Sequence, residues 1–168
     1  MTAPAADARR VSVGLGQRAI SKDGNDVRVA YGLVSCIGIS CYDPQAKVGG
    51  LAHVLLPSSD GKRVEDREPA RFADTGIDLL VIRLCDAGAV PRRLIVKIAG
   101  GAAVLGPANA EKFKIGERNA DAIKERLKRH GISPAATDIG GSKGRTLEVH
   151  VISGKTYVRT AASPASEL

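Results

Sequence analysis

Two side chains in this sequence have the chemistry of a nucleophile and its base: Cys36 and His53. A thiolate is a strong nucleophile, and an imidazole is the side chain best matched to take a thiol's proton near neutral pH. Cys36 follows Val34-Ser35 at a bend between two apolar runs, with Gly38 two residues on. A thiol at such a bend reaches solvent and has free backbone N–H groups around it. Those groups lower its pKa and hold an oxyanion, with Ser35 and Ile37 as the supporting residues. His53 stands in the run VGGLAHVLLP, where a lone polar ring among apolar residues needs a partner. Spacing alone leaves another reading open and favours it: a buried structural cysteine and a satisfied core histidine. Cys41 and Cys85, in apolar contexts, read as structural.

Other motifs are weaker. Gly14-Leu15-Gly16 begins a dinucleotide fingerprint, but Ala19 stands where its third glycine belongs. Gly140 to Arg145 (GGSKGR) lacks phosphate-loop spacing and precedes a strand, so it reads as a glycine-rich turn. The cysteines and histidines form no CxxC or HxxxH pair, so no metal and no organic cofactor are expected.

The elements that must position Cys36 and His53 follow from periodicity and breakers. Arg10–Lys22 alternates partly and predicts one first strand, closed by the Asp23-Gly24-Asn25-Asp26 turn. Strands are predicted over 27–33, 37–42 and 48–56, the last ending at Pro57, with a polar surface loop over 58–68. A helix is predicted over 69–87, with Phe72, Leu79, Leu80 and Leu84 on its stripe and Pro69 in its first turn. A short strand at 94–99 enters Gly100-Gly101, and a helix over 115–130 ends at Gly131. Strands at 134–139, 146–152 and 155–160 complete an α/β (α+β) single domain. The expected organisation is a disordered lead over 1–10, one domain over 11–160 and a flexible tail over 161–168.

Composition bounds the function classes. The chain has 168 residues, 43% of them hydrophobic and 3% aromatic, with a net charge of +7. That is enough apolar content for a self-supporting core, and no apolar run approaches the length of a membrane span. The first ten residues carry no apolar signal region, and an odd cysteine count suits a reducing compartment, so a cytoplasmic protein is expected. The positive charge raises nucleic acid as a partner, but so few aromatics argue against a base-stacking surface and the basic residues are dispersed.

The residues around Cys36 and His53 change the weighting. Gly32-Leu33-Val34-Ser35-Cys36-Ile37-Gly38-Ile39, Tyr42-Asp43-Pro44 and Gly49 to Pro57 are followed in order by further motifs. These are Arg71 to Thr75, Lys97 to Ala102, Ile115 to Asn119, Gly131-Ile132 and Asp138 to Arg145. This ordered series, from about Val11 to Arg159, closely resembles the CheD family of bacterial chemoreceptor glutamine deamidases. The resemblance implies a sandwich of β-sheets flanked by helices, similar to the catalytic domain of the cytotoxic necrotizing factors. It implies Cys36 as nucleophile, His53 as base, and chemoreceptor cytoplasmic helices as substrate. It also implies the CheC phosphatase as a second partner, with no nucleic acid, no membrane insertion and a monomeric enzyme expected. Two positions depart from the family pattern. Ala30 stands where the family's third catalytic member, a threonine, is expected, and Val34 where it has glycine. Alanine cannot hydrogen-bond the His53 ring, so a backbone carbonyl or another side chain must orient it. These departures keep a second reading open, a weakly catalytic module that regulates receptors or CheC by docking.

Overall fold

The computed structural model describes residues 7–103 and 110–168, with side chains undescribed over 110–113. The lead expected over 1–10 thus lies outside the described residues as far as residue 6. The strands are β1 (Arg9–Ser12), β2 (Arg18–Ser21), β3 (Asp26–Leu33), β4 (Ile37–Asp43), β5 (Val48–Val54), β6 (Ile95–Gly100), β7 (Ala136–Ile139), β8 (Arg145–His150), β9 (Thr156–Thr160) and β10 (Ser163–Glu167). Helix α1 (Ala73–Asp86) lies between β5 and β6, and α2 (Ala110–Arg129) between β6 and β7.

The strands form two five-stranded sheets, ordered β1-β3-β8-β9-β10 and β2-β5-β4-β6-β7. Alternation decides which residues face which layer. On β4, Ile37, Ile39 and Cys41 join a core with Ile77, Leu80 and Leu84 of α1 and Ile123 and Leu127 of α2. The opposite face of β4 meets the first sheet, where a Cβ on Gly38 would lie 2.9 Å from Leu147 and Leu33. Farther along this face the Ser40 hydroxyl is 2.9 Å from that of Thr156 on β9. A second core of Ala30, Leu33, Leu51, Ala99, Leu147, Val149 and Val158 fills the space between the sheets. The layers are therefore sheet, sheet, helices, which is the sandwich that the sequence predicted. No described helix is long and apolar enough to cross a membrane.

Helix α2 begins at Ala110 rather than residue 115, Arg9 and Arg10 of the expected lead open β1, and three further expectations differ for physical reasons. The single strand over 10–22 is broken by a turn in which Gly16 takes φ 73° and Gln17 N–H bonds the Gly14 carbonyl at 3.0 Å. The chain reverses there, so β1 pairs with β3 in one sheet and β2 with β5 in the other. Helix α1 begins at Ala73 rather than Pro69, because the preceding residues are drawn into sheet-like bonds. Ala70 N–H donates to Gly16, Ala73 N–H donates to Leu56, and Leu56 bridges Phe72. The tail expected to fray over 161–168 instead adds β10 to the edge of β9, and Leu168 N–H bonds Thr156 at 2.9 Å.

Helix α2 is clasped to α1. Asp78 takes the Arg126 guanidinium on both oxygens, and its Oδ1 also lies 2.7 Å from His130 Nε2. With Ile123 and Leu127 fully buried, each contributing about 1.5–3 kcal/mol, α2 is a rigid wall beside β4 and β6.

Candidate active site

The bend carrying Cys36 leaves β3 at Leu33 and enters β4 at Ile37. Its three successive carbonyls are all bound from neighbouring elements. The Val34 carbonyl accepts Ala102 N–H at 2.5 Å, and the Cys36 carbonyl accepts Gly101 N–H at 2.9 Å. The Ser35 carbonyl accepts the Asn119 side-chain amide of α2 at 3.0 Å. Cys36 itself is half-buried, packed on the core between the sheets and still reachable from solvent. Burial pushes its thiol above the ordinary range, opposed by its own backbone N–H. The expected lowering of the thiol pKa is therefore not present in the resting chain, since desolvation outweighs one amide dipole. Ser35 is half-buried beside it. Ile37 is fully buried and registered with Val54 and Gly100, so its side chain supports the site by packing.

His53 pairs with Gly38 across the β4–β5 ladder. Its face of β5 points between the sheets, as does the face of β4 that Gly38 and Cys36 share. Cys36 stands one residue before β4 and two before Gly38, the ladder partner of His53. The imidazole is buried, and the β1–β2 turn wraps it. Gly16 N–H donates to the His53 carbonyl at 2.9 Å, and His53 N–H donates to Gln17 at 3.0 Å. The ring's Nδ1 is 3.2 Å from the Val13 carbonyl, whereas Nε2 is buried with no hydrogen-bond partner. A carbonyl only accepts, so Nδ1 carries the proton and Nε2 presents a bare lone pair. Burial lowers the imidazole pKa, opposed by the Val13 bond, which keeps the ring neutral. The arrangement fixes the ring in one tautomer.

The two departures from the family pattern now have structural accounts. Ala30 is fully buried between the sheets, and the ring's orienting bond comes from Val13. Val34 needs no glycine geometry, since Lys47 and Asp60 are the only described non-glycine residues with positive φ. Ala30→Thr is accordingly expected to lower stability by about 1–3 kcal/mol through overpacking, with ammonia release changed by less than about threefold. Urea denaturation and turnover of the purified variant check this; a large gain in turnover would show that Val13 does not suffice.

Sequence reasoning missed several supports. Asn119 is fully buried, and its amide reaches both the Ser35 and Leu55 carbonyls, at 3.0 and 2.8 Å. Its place in an Ile-Gly-Glu-Arg-Asn run was visible, but no local signal tied α2 to the cysteine bend. Val13 contributes only a backbone atom, which leaves no mark on residue type. Gly100-Gly101 lies against the cysteine bend: a Cβ on Gly100 would lie 2.2 Å from the Cys36 carbonyl oxygen. Likewise Gly116 of α2 presses on Gly101, where a Cβ would lie 2.6 Å from that carbonyl. Asp138 and Arg145 pair at 3.2 Å, and the same guanidinium bonds the Gly140 carbonyl at 2.8 Å and the Gly100 carbonyl at 3.3 Å, tying the GGSKGR loop to the turn behind Cys36. An open cleft of about 420 Å³ lies beside this turn, between Gly101, Gly116 and Lys124 on one side and Gly140-Gly141 on the other.

The remaining candidates separate from the site. Cys41 is buried, its thiol pushed up to about 12 by desolvation, whereas Cys85 is exposed on α1 rather than packed in an apolar context. His130 and His150 are engaged by Asp78 and Glu148. Among the described residues no group of three or more potential metal ligands converges.

Comparison with known proteins places the chain in a family. Residues 55–160 match the family model described as CheD chemotactic sensory transduction. A protein of Symbiobacterium thermophilum named "Probable chemoreceptor glutamine deamidase CheD" is 41% identical over 96% of this chain and 99% of its own length. A Geobacter metallireducens protein, "Probable chemoreceptor glutamine deamidase CheD 2", is 40% identical over 94% of this chain and 98% of its own. Among solved structures, the Bacillus licheniformis hypothetical protein YfiH overlays 81% of this chain and 60% of its own, with a TM-score of 0.45 and 12% identity. With relatives matched end to end and the family model covering the larger part of the sequence, the chain belongs to the CheD family.

Proposed function

We propose that the protein is a glutamine deamidase, converting glutamine side chains of chemoreceptor cytoplasmic helices to glutamate with Cys36 as nucleophile and His53 as base. The observation that supports this best is the His53 ring, neutral, its Nδ1–H held by Val13 and its Nε2 lone pair unpartnered on the face it shares with Cys36. The relatives carry the same activity in their names.

In the reaction, His53 Nε2 takes the Cys36 proton, and the sulfur attacks the substrate's side-chain amide carbon. The carbonyl π electrons move to oxygen, and backbone N–H at the Cys36 bend, with Ser35 alongside, stabilises the oxyanion. His53 returns its proton to the amide nitrogen, the C–N bond breaks, and ammonia leaves a thioester. His53 then takes a proton from water as the water oxygen attacks the thioester carbon. The C–S bond breaks, glutamate forms, and the proton returns to Cys36. The sum is glutamine and water to glutamate and ammonia. Burial disfavours both the thiolate and the imidazolium, so proton transfer is coupled to the attack on the substrate amide.

The reaction belongs in the cytoplasm, where receptor helices are available and reducing conditions keep Cys36 free. One copy of the chain supplies both Cys36 and His53, which supports a monomeric enzyme. The family resemblance adds the CheC phosphatase as a second partner. Purified chemoreceptor cytoplasmic fragment incubated with the protein should release ammonia. Cys36→Ala should release none above the uncatalysed background, and equal release from both would overturn the assignment.

A further inference from the structure

We infer that Asn119 is a positioning residue for the nucleophile, acting by setting the orientation of the Ser35–Cys36 peptide; the inference rests on the deamidase reading above. The side chain is fully buried and spends both amide hydrogens on two carbonyls, Ser35 at 3.0 Å and Leu55 at 2.8 Å. Ser35 immediately precedes the nucleophile. Leu55 is the residue that faces Cys36 when the β4–β5 register is carried one step past Ile37–Val54. One amide thus spans the gap where the ladder opens, replacing the backbone pairing that the bend at 34–36 interrupts.

The chemistry of the two acceptors dictates the residue type. Two carbonyl oxygens converge on one side-chain end; an –NH2 group donates to both, which a hydroxyl with its single hydrogen cannot do. An aspartate of the same shape would set a carboxylate against two carbonyl dipoles. The other end, Oδ1, is buried with no partner. An unpaired buried acceptor is unfavourable, so the amide is better explained by what its donors hold in place than by its own contribution to stability.

The consequence for the nucleophile is geometric. In a planar trans peptide, the carbonyl of one residue and the N–H of the next point in opposite directions. With the Ser35 carbonyl turned toward α2, the Cys36 N–H points away from α2. That N–H acts on the Cys36 sulfur, where it opposes the effect of burial. Holding that N–H in place is the role inferred for Asn119: the donor then faces the charge that develops as Cys36 ionises and attacks. Helix α2 can hold this orientation because Asp78 clasps Arg126 farther along the same helix and His130 just past its end. Gly116, one turn before Asn119, lets the helix close on the Gly101 turn.

The test compares wild type, Asn119→Asp and Asn119→Ala, each isolated as folded protein by gel filtration and circular dichroism. Two readouts are taken: ammonia release from a chemoreceptor fragment, and the pH dependence of Cys36 alkylation by iodoacetamide in a Cys41→Ser, Cys85→Ser background. For Asn119→Asp, kcat should fall by about 10²–10³-fold, the cost of losing one oxyanion donor, with KM within about threefold of wild type. Its alkylation profile should move to higher pH, because the amide that favours the thiolate is no longer aimed at it. Asn119→Ala should show the same direction with a smaller loss. A folded Asn119→Asp with wild-type kcat and an unshifted profile would overturn the inference. So would failure of both variants to fold, since Asn119 would then be a fold determinant. Cys36→Ala, run alongside, separates the two claims. If it retains wild-type ammonia release, the deamidase reading fails, and the alkylation profile alone still decides what Asn119 does to the thiol.

Discussion

His53→Gln is expected to lower turnover on a chemoreceptor fragment by at least about 10³-fold while leaving the chain folded. Glutamine can keep a side-chain N–H for the Val13 carbonyl, which His53 Nδ1 now approaches at 3.2 Å, so the β1–β2 turn stays anchored. It has no lone pair basic enough to take a thiol proton. In a serine-protease triad, where nucleophile and base act as a unit, removing the base alone costs about 10⁶ in rate. The loss should be large here because burial already disfavours the Cys36 thiolate. The pH dependence carries the sharper signature. Burial lowers the His53 pKa, so the ring stays neutral and competent at neutral pH, and the wild-type rate should fall only as the pH drops below the ordinary imidazole range. In His53→Gln that acid limb should vanish. The residual rate should climb with pH through the alkaline range, following ionisation of the raised thiol. Stopped-time ammonia assays across pH check both features. An acid limb retained in the variant would show that another group is the base.

Gly100→Ala is the second large effect, and it acts on the fold and the site together. Gly100 has φ 125°, a conformation that L side chains rarely adopt, and its added Cβ would stand 2.2 Å from the Cys36 carbonyl oxygen. The obstacle is backbone, so no rotamer change relieves it. Either β6 separates from β4 at its end, or the Cys36 bend moves. Backbone strain of about 1–3 kcal/mol adds to an overpacking cost of similar size. The expected loss is about 3–5 kcal/mol, a fall in melting temperature on the order of 10 °C for a chain of this length. Differential scanning calorimetry checks the fall, and iodoacetamide alkylation of Cys36 should report a changed thiol environment even in molecules that stay folded. A variant with wild-type melting would mean that the turn relaxes freely, and the close approach would then have no role in holding the nucleophile.

Much of the core was legible because it is written in local pattern. The strand over 37–42 was readable from Ile37, Ile39 and Cys41, although burial of its other face, with Gly38, Ser40 and Tyr42, was not. The four-residue spacing of Ile123 and Leu127, closed by Gly131, places α2 against a core. Elements failed where a long-range bond overrode local preference. Pro69 suits a first helical turn, yet Leu56 and Gly16 bind the backbone of residues 70–73 and delay α1 to Ala73. A partly alternating run over 10–22 reads as one strand until the Gly14–Gln17 turn sends its halves to different sheets.

The same division holds at the site. Residue types alone determined that Cys36 and His53 were the pair to watch, and the ordered motifs around them determined the family. They could not determine what orients His53. The family pattern directs attention to position 30, whereas the bond comes from the Val13 carbonyl, an atom that every residue type carries. They could not reveal that Asn119 joins the Ser35 and Leu55 carbonyls, because those partners lie 84 and 64 positions away. Nor could they set the charge state of the pair at rest, since a thiol's pKa depends on how much water the fold removes from it. Sequence encodes which groups exist and how each segment prefers to run. Direction, desolvation and the pairing of backbone atoms arise only when distant segments pack, and in this protein those three decide whether a cysteine and a histidine form a catalytic pair.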